Sequence, residues 1–217
     1  MTAADGLTIA VPRGALFGDS LDLLDRLGID TAPVRDNDRR LIFPEIGVIT
    51  MRPSDVPSYV EHGAADIGIT GKDVLLEQAD REVYELHDLG YGTCRMVVAA
   101  REGDDPLGEP LRRRGSVRIA TKYPRIAGDY FTRTGRQAEI VEVKGSVELA
   151  PLTGLADAIV DLTATGTTMR ENHLVEHEQI GVMTARLIAN PVAHKLKAAE
   201  IDGMLARIRS ISSAAES

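Results

Sequence analysis

Asp161-Leu162-Thr163-Ala164-Thr165-Gly166-Thr167-Thr168 is the stretch of this chain whose residue types most plainly serve chemistry. It follows the apolar run Ala156 to Val160, so it reads as a strand that ends in a carboxylate and opens into a Thr/Gly loop. Gly166 allows backbone N–H groups to approach an anion closely. The hydroxyls of Thr163, Thr165, Thr167 and Thr168 add donors, and a helix starting after the loop adds partial positive charge. Asp161 is the odd member, because a carboxylate repels phosphate; at a strand end it suits sugar hydroxyls or a metal. Phosphate, sugar and metal together describe a phosphorylated sugar. The same residues also fit a strand, a Ser/Thr-type turn and a helix cap with no ligand.

The rest of the chain bounds what can surround this motif. With 217 residues it can bury a real core, as one large or two small domains. A net charge of −8 argues against a sequence-independent nucleic-acid binder. Local basic clusters remain compatible with small anions, although Arg112-Arg113-Arg114 reads as a solvated loop. The single cysteine, Cys94, excludes an internal disulfide and a Cys-based zinc cluster, which fits a reducing cytoplasm. The five histidines show no metal-ligand spacing, and His173 and His177 read as exposed. No signal-peptide pattern opens the chain, and no run approaches the roughly 18 apolar residues of a membrane helix. The expectation is a soluble cytoplasmic protein.

Apolar spacing supplies the elements that must position the motif. Strands are expected at Leu7–Val11, Leu41–Phe43, Gly47–Met51, Ile67–Ile69, Arg95–Ala100, Val117–Ala120, Ala138–Val143, Ala156–Asp161 and Met183–Ala189. Helices are expected at Leu16–Leu27 with Gly28 as cap, Val56–His62, Asp73–Ala79, Ile126–Thr132 and Glu148–Thr153. Ala193–Ile211 reads as one long amphipathic C-terminal helix, and Gly103–Gly115, with Pro106 and Pro110, as a loop. Strands alternating with short helices predict an α/β fold of parallel βαβ units, which bind ligands at the carboxyl ends of strands.

Several further segments share one likeness. Pro12-Arg13-Gly14, Met51-Arg52-Pro53-Ser54-Asp55-Val56-Pro57, Gly63 to Asp73, Asp88-Leu89-Gly90-Tyr91-Gly92, Ala120-Thr121-Lys122-Tyr123-Pro124, Gly145 to Pro151 and Asn190-Pro191-Val192 all resemble the ATP phosphoribosyltransferase family. They run in order through nearly the whole chain. The resemblance is to the short form of the family, without a C-terminal regulatory domain. It implies a two-lobed, type II periplasmic-binding-protein-like fold with a ligand cleft between lobes. On that reading residues 1–94 with 182–217 form the nucleotide lobe, and 95–181 the phosphoribosyl pyrophosphate lobe. It implies the first committed step of histidine biosynthesis: a ring nitrogen of ATP attacks the anomeric carbon of phosphoribosyl pyrophosphate. The expected partner is a regulatory subunit similar to histidyl-tRNA synthetase, assembling with a catalytic homodimer. A non-catalytic nucleotide or phosphoribosyl pyrophosphate binding module of the same fold is the alternative.

That reaction requires an anchored 5′-phosphate, a neutralised pyrophosphate and a positioned adenine. The 163–168 loop, Ala164 included, is the expected anchor, with Asp161 on the ribose hydroxyls and Glu148 facing the sugar or its magnesium. Mg²⁺ is expected on the substrate phosphates rather than in a protein cage. Arg13, Arg39 and Arg52 are the candidate catalytic cations, with Lys72 and Arg95 as further cations. Asp66 and Asp73 are assigned to the nucleotide side, and Tyr91, Cys94 and Tyr123 to a base or to the core. Asp157 is read as capping or facing solvent. The family usually carries a second basic residue where this chain has Ala15.

Overall fold

The computed structural model describes residues 4, 6–37 and 39–215, with side chains as far as 211. In chain order the elements are β1 (Ile9–Pro12), α1 (Phe17–Arg26), α2 (Ala32–Arg35), β2 (Ile42–Phe43), β3 (Val48–Met51), a 3-10 turn (Pro53–Asp55), α3 (Val56–Glu61), β4 (Ile67–Gly71), α4 (Lys72–Glu77) and β5 (Tyr84–Asp88). There follow β6 (Cys94–Arg101), α5 (Gly108–Arg114), β7 (Val117–Thr121), α6 (Pro124–Arg133), β8 (Ala138–Glu142), α7 (Leu149–Leu152), β9 (Ala158–Thr163), α8 (Thr167–Glu171) and β10 (Leu174–Met183). The chain ends in β11 (Ala185–Ala189), α9 (Pro191–Leu196) and α10 (Ala198–Ala215). These elements form two compact units, Met1–Gly92 with Thr184–Ser217, and Thr93–Met183.

The first unit is built on a sheet of order β2-β3-β1-β4-β11-β5, in which β1, β3 and β4 are parallel and β2, β11 and β5 antiparallel to their neighbours. Period-2 alternation divides its core. Ile9 and Val11 of β1 and Ile67 and Ile69 of β4 face α1 and α10, with Leu21, Leu24, Ile201 and Met204. Ala10 and Ile188 face α3 through Val56 and Val60. A Cβ at Gly68 would sit 2.7 Å from Val56 Cγ1, so glycine lets α3 lie this close to β4. Helix α1 ends as its glycine predicts. Gly28, at φ 83°, donates to Asp25 O at 2.9 Å, and Ile29 donates to Leu24 O at 3.0 Å, the paired bonds of a Schellman motif.

The second unit has sheet order β10-β6-β9-β7-β8, parallel among β9, β7 and β8 and antiparallel at β6 and β10. One face carries Met96, Val98, Ile119 and Val160 against Ile126, Ala127 and Phe131 of α6. The other carries Val97, Ala99 and Ile159 against Ala150 of α7 and Met169 of α8. Both sheets are mixed, not wholly parallel as alternation alone predicts.

Two expectations are corrected, and one strand had no expectation. The segment Gly103–Gly115 contains helix α5, capped by Gly115 at φ 72°. Pro110 is the third residue of that helix, where the N–H has no intrahelical acceptor, so proline breaks nothing there. The stretch around His177 is strand β10; register shifts between Glu176 and Glu178 and between Gln179 and Gly181 disrupt the period that would reveal it. The C-terminal helix is two helices, broken at Lys197 (φ −124°, ψ 37°), whose Nζ lies 2.7 Å from Asp66 Oδ2. His173 and His177 are exposed, as read from the sequence. No helix among the described residues is long and apolar enough to cross a membrane.

Candidate functional site

Strands β7 and β9 are parallel neighbours in the second unit. Strand β7 leads through Lys122 and Tyr123 into α6 on one face; β9 leads through the Thr/Gly loop into α8 on the opposite face. Loops departing to opposite faces from adjacent strand ends leave a crevice, the usual ligand position in an open α/β sheet. A pocket of about 400 Å³ lies there, lined by Lys122, Tyr123, Glu148 and the chain from Asp161 to Met169. The structure thus brings together Glu148, Asp161, Thr163, Ala164, Thr165, Gly166, Thr167 and Thr168.

The loop is held by its own hydroxyls. Thr163 Oγ1 accepts the Gly166 N–H at 2.9 Å, so that N–H is not free for an anion; Gly166, at φ 73°, supplies shape instead. The Thr165 and Thr167 hydroxyls lie 2.9 Å apart. Thr168 and Met169, in the first turn of α8, present N–H groups without intrahelical acceptors. Arg170 stands behind the loop, donating to Thr165 O at 2.9 Å and Thr167 Oγ1 at 3.1 Å.

Asp161 is buried at 6% exposure, and burial pushes its pKa above the ordinary value. Lys122, with Nζ 3.4 Å from Oδ2, and the Leu162 N–H, 2.8 Å from Oδ1, oppose that rise, whereas the nearby Glu148 charge adds to it. Asp161 and Glu148 both line this pocket, with Lys122 beside Asp161; paired carboxylates near a donor loop are oxygen ligands of the kind a hydrated divalent cation takes. Lys122 was not singled out from the sequence. Its signal is positional: it directly follows a buried strand, where α/β folds place ligand residues.

In the first unit, Arg13, Arg52 and Lys72 each directly follow the last residue of parallel strands β1, β3 and β4, which puts them at one sheet edge. Antiparallel β2 starts at that edge, and Arg39 lies just before it. Their commitments differ. Arg13 donates from Nε to Thr50 Oγ1 at 3.0 Å and from Nη2 to Arg40 O at 2.9 Å, bracing three segments. Lys72 pairs with Glu85 at 2.6 Å. Arg39 and Arg52 are exposed, and neither guanidinium has an acceptor among the described residues. Asp73 begins α4 beside Lys72. Ala15, in the exposed turn after Gly14, adds no charge.

Other candidates serve the scaffold. Asp66 lies at the opposite, amino end of β4, accepting from Thr8 N at 2.7 Å and Lys197 Nζ at 2.7 Å; it does not join the cation edge. Arg95 is held by Glu176, with Nη2 2.8 Å from Oε1. Asp157 caps the Arg118 N–H at 2.7 Å and pairs with Arg114. Burial raises the Tyr91 pKa, and its hydroxyl lies 2.9 Å from Ser20 Oγ within the first unit's core. Cys94 packs beside the second unit's core. No group of three or more potential metal ligands occurs among the described side chains.

Comparison with known proteins identifies the family. Residues 52–210 match the family model described as ATP phosphoribosyltransferase. The ATP phosphoribosyltransferase of Rubrobacter xylanophilus is 55% identical over 206 residues, covering 94% of this chain and 95% of that relative. That of Bacillus licheniformis is 48% identical, covering 93% of each. Among solved structures, a chain of the ATP phosphoribosyl transferase (HisG:HisZ) complex from Thermotoga maritima superposes with TM-score 0.78 at 34% identity, over 94% of this chain and 98% of that one. The Bordetella pertussis BvgS periplasmic VFT2 domain, TM-score 0.59 at 14% identity over 94% of this chain and 86% of that one, shares the fold alone. The fold is therefore the two-lobed, periplasmic-binding-protein-like α/β type. At such identity, over nearly the full length of relatives similar in size, the chain belongs to the ATP phosphoribosyltransferase family and is a transferase enzyme.

Proposed function

We propose that the protein transfers the phosphoribosyl group of phosphoribosyl pyrophosphate to a ring nitrogen of ATP, releasing pyrophosphate, in the first step of histidine biosynthesis. The observation that carries this reading is the pocket at the β7/β9 crevice, lined by both the Thr/Gly loop and Asp161. The Thr165–Thr168 segment anchors the 5′-phosphate through hydroxyl and backbone donors. Asp161, fixed by the Leu162 N–H, accepts from ribose hydroxyls, and Glu148 lies on the same wall. Lys122 partly balances Asp161, so that carboxylate can be buried beside an anionic substrate.

The attacking ring nitrogen carries no proton in neutral adenine, so the step needs no general base. It needs positioning and charge neutralisation. Arg39 and Arg52, with exposed guanidinium groups, are assigned to substrate phosphates, where two-point contact is natural. Arg13 is assigned to the same edge, and Lys72 and Asp73 to the nucleotide. Asp161 and Glu148 would hold substrate-borne Mg²⁺, which would supply charge neutralisation for the leaving pyrophosphate.

The matched T. maritima chain belongs to a HisG:HisZ complex. That likeness supports a second, histidyl-tRNA-synthetase-like subunit; the homodimer and the cytoplasmic setting are part of the same proposal. The test is pyrophosphate release from ATP, phosphoribosyl pyrophosphate and Mg²⁺, with pyrophosphatase present, for the chain alone and with that subunit. Release that requires both substrates is expected. No release in either run, despite saturable phosphoribosyl pyrophosphate binding, would replace the transferase reading with a binding protein.

A further inference from the structure

We infer that Arg170, which does not line the pocket, is the positioning residue that turns the Thr165–Thr168 loop toward presenting donors to the sugar 5′-phosphate. The inference rests on the function proposed above. A loop of this composition carries acceptors as well as donors, and any carbonyl or hydroxyl lone pair aimed at a phosphate repels it. Arg170 removes two of these. Its Nη1 donates to the Thr165 carbonyl at 2.9 Å and its Nη2 to Thr167 Oγ1 at 3.1 Å.

The hydroxyl count follows. Thr165 and Thr167 share one hydrogen bond at 2.9 Å and hold two hydroxyl protons. One proton lies in that bond, so the other is left to point away from the pair. With the guanidinium on a Thr167 lone pair and the Thr167 N–H approaching Thr165 Oγ1 at 3.4 Å, three of the pair's four lone pairs are occupied within the loop. The remaining proton is therefore an outward donor. The guanidinium also places a fixed positive charge behind the loop.

Two observations show that the placement is specific. A Cβ at Gly166 would stand 2.8 Å from Arg170 Nη1, so the guanidinium packs directly on the glycine. Glu176, whose Oε1 would stand 3.4 Å from a Gly166 Cβ, is bound by both Nη atoms of Arg95, at 2.5 and 2.8 Å, which leaves Arg170 to the loop.

The test measures binding by calorimetry for the wild type, Arg170→Met, Arg170→Lys, Thr167→Val and the Arg170→Met/Thr167→Val double variant. The probes are phosphoribosyl pyrophosphate, ribose 5-phosphate and pyrophosphate alone, each with Mg²⁺. Arg170→Met is expected to weaken both 5′-phosphate ligands about tenfold, the scale of one charged hydrogen bond, and to leave pyrophosphate unchanged. Arg170→Lys should recover part of the loss, and the double variant should bind no worse than the weaker single variant. Equal binding by Arg170→Met, equal weakening of all three probes, or losses that multiply in the double variant would each overturn the assignment. A wild type that binds neither 5′-phosphate ligand would overturn the underlying reading and this inference together, a result distinct from the other three.

Discussion

Asp161 shows how the ligand chemistry of this pocket opposes folding. Burial raises its pKa above 3.8, more than Lys122 and the Leu162 N–H lower it. The folded chain therefore holds the proton more tightly than the unfolded chain does. Stability declines as pH rises from 3.8 toward the raised folded value, and stays lower above it. Asp161→Asn keeps the acceptor for Leu162 and removes the buried charge. It is expected to melt higher at neutral pH while binding phosphoribosyl pyrophosphate at least about tenfold more weakly. Calorimetry and a binding titration check both halves; a lower melting temperature at neutral pH would show that Lys122 outweighs burial. Gly166 is constrained twice, by φ 73° and by Arg170 Nη1, 2.8 Å from where a Cβ would lie. Gly166→Ala is expected to cost about 1–2 kcal/mol in denaturant unfolding, from the left-handed backbone, and to weaken ligand binding by displacing the guanidinium. Both residues were legible because strand end, carboxylate and Thr/Gly loop occur in one run. Arg170 was not, because its role depends on where α8 turns it.

At the scale of elements, β10 and α6 are joined by one carboxylate. Glu178 Oε2 accepts from Tyr130 Oη at 2.6 Å, and the two Glu178 oxygens accept from Arg136 at 2.9 and 2.8 Å. The Arg136 hydrogen bonds, ahead of an opposing desolvation, hold the Glu178 pKa below its ordinary 4.5. A depressed carboxylate contributes stability above its unfolded pKa, and that contribution is lost as pH falls through the lower folded value. Glu178→Gln should therefore flatten the acid side of the stability profile below about pH 4.5, measured by urea midpoints against pH. An unchanged acid limb would assign the loss to other carboxylates. Elements with clean periodicity, such as β1, α1 and β9, were readable from their spacing. β10 was not, since its two bulges shift the period; α5 was not, since prolines mask a helix they do not break.

At the scale of the molecule, a chain of net charge −8 must bind polyanionic substrates by local arrangement. The cations assigned to substrate lie at or near strand ends: Arg13, Arg39, Arg52 and Lys72 at one sheet edge, and Lys122 at another. Each unit has its own core, so ligand linkage can be read unit by unit. Phosphoribosyl pyrophosphate at a hundred times its dissociation constant is expected to stabilise the ligand-holding unit by about 2.7 kcal/mol. Amide exchange should slow at Lys122–Tyr123 and across 161–170 before it slows around Arg13 and Arg52. Protection that appears first in the unit carrying Arg13 would reverse the assignment of the sugar phosphate.

The amino-acid sequence by itself determined the family, the α/β class and the strand–loop–helix that lines the pocket, because these are written in contiguous motifs and in the period of buried strands. Tertiary structure alone decided which charges are available. Asp66 sits in a motif-rich segment yet lies at the amino end of β4, bound to Thr8 and Lys197. Arg95 looks like a phosphate clamp but is paired with Glu176, 81 positions away in the chain. Lys122, inconspicuous in the sequence, meets Asp161 because β7 and β9 are neighbours. Which charges meet is set by strand order and register, which bring distant positions together and which no local pattern encodes.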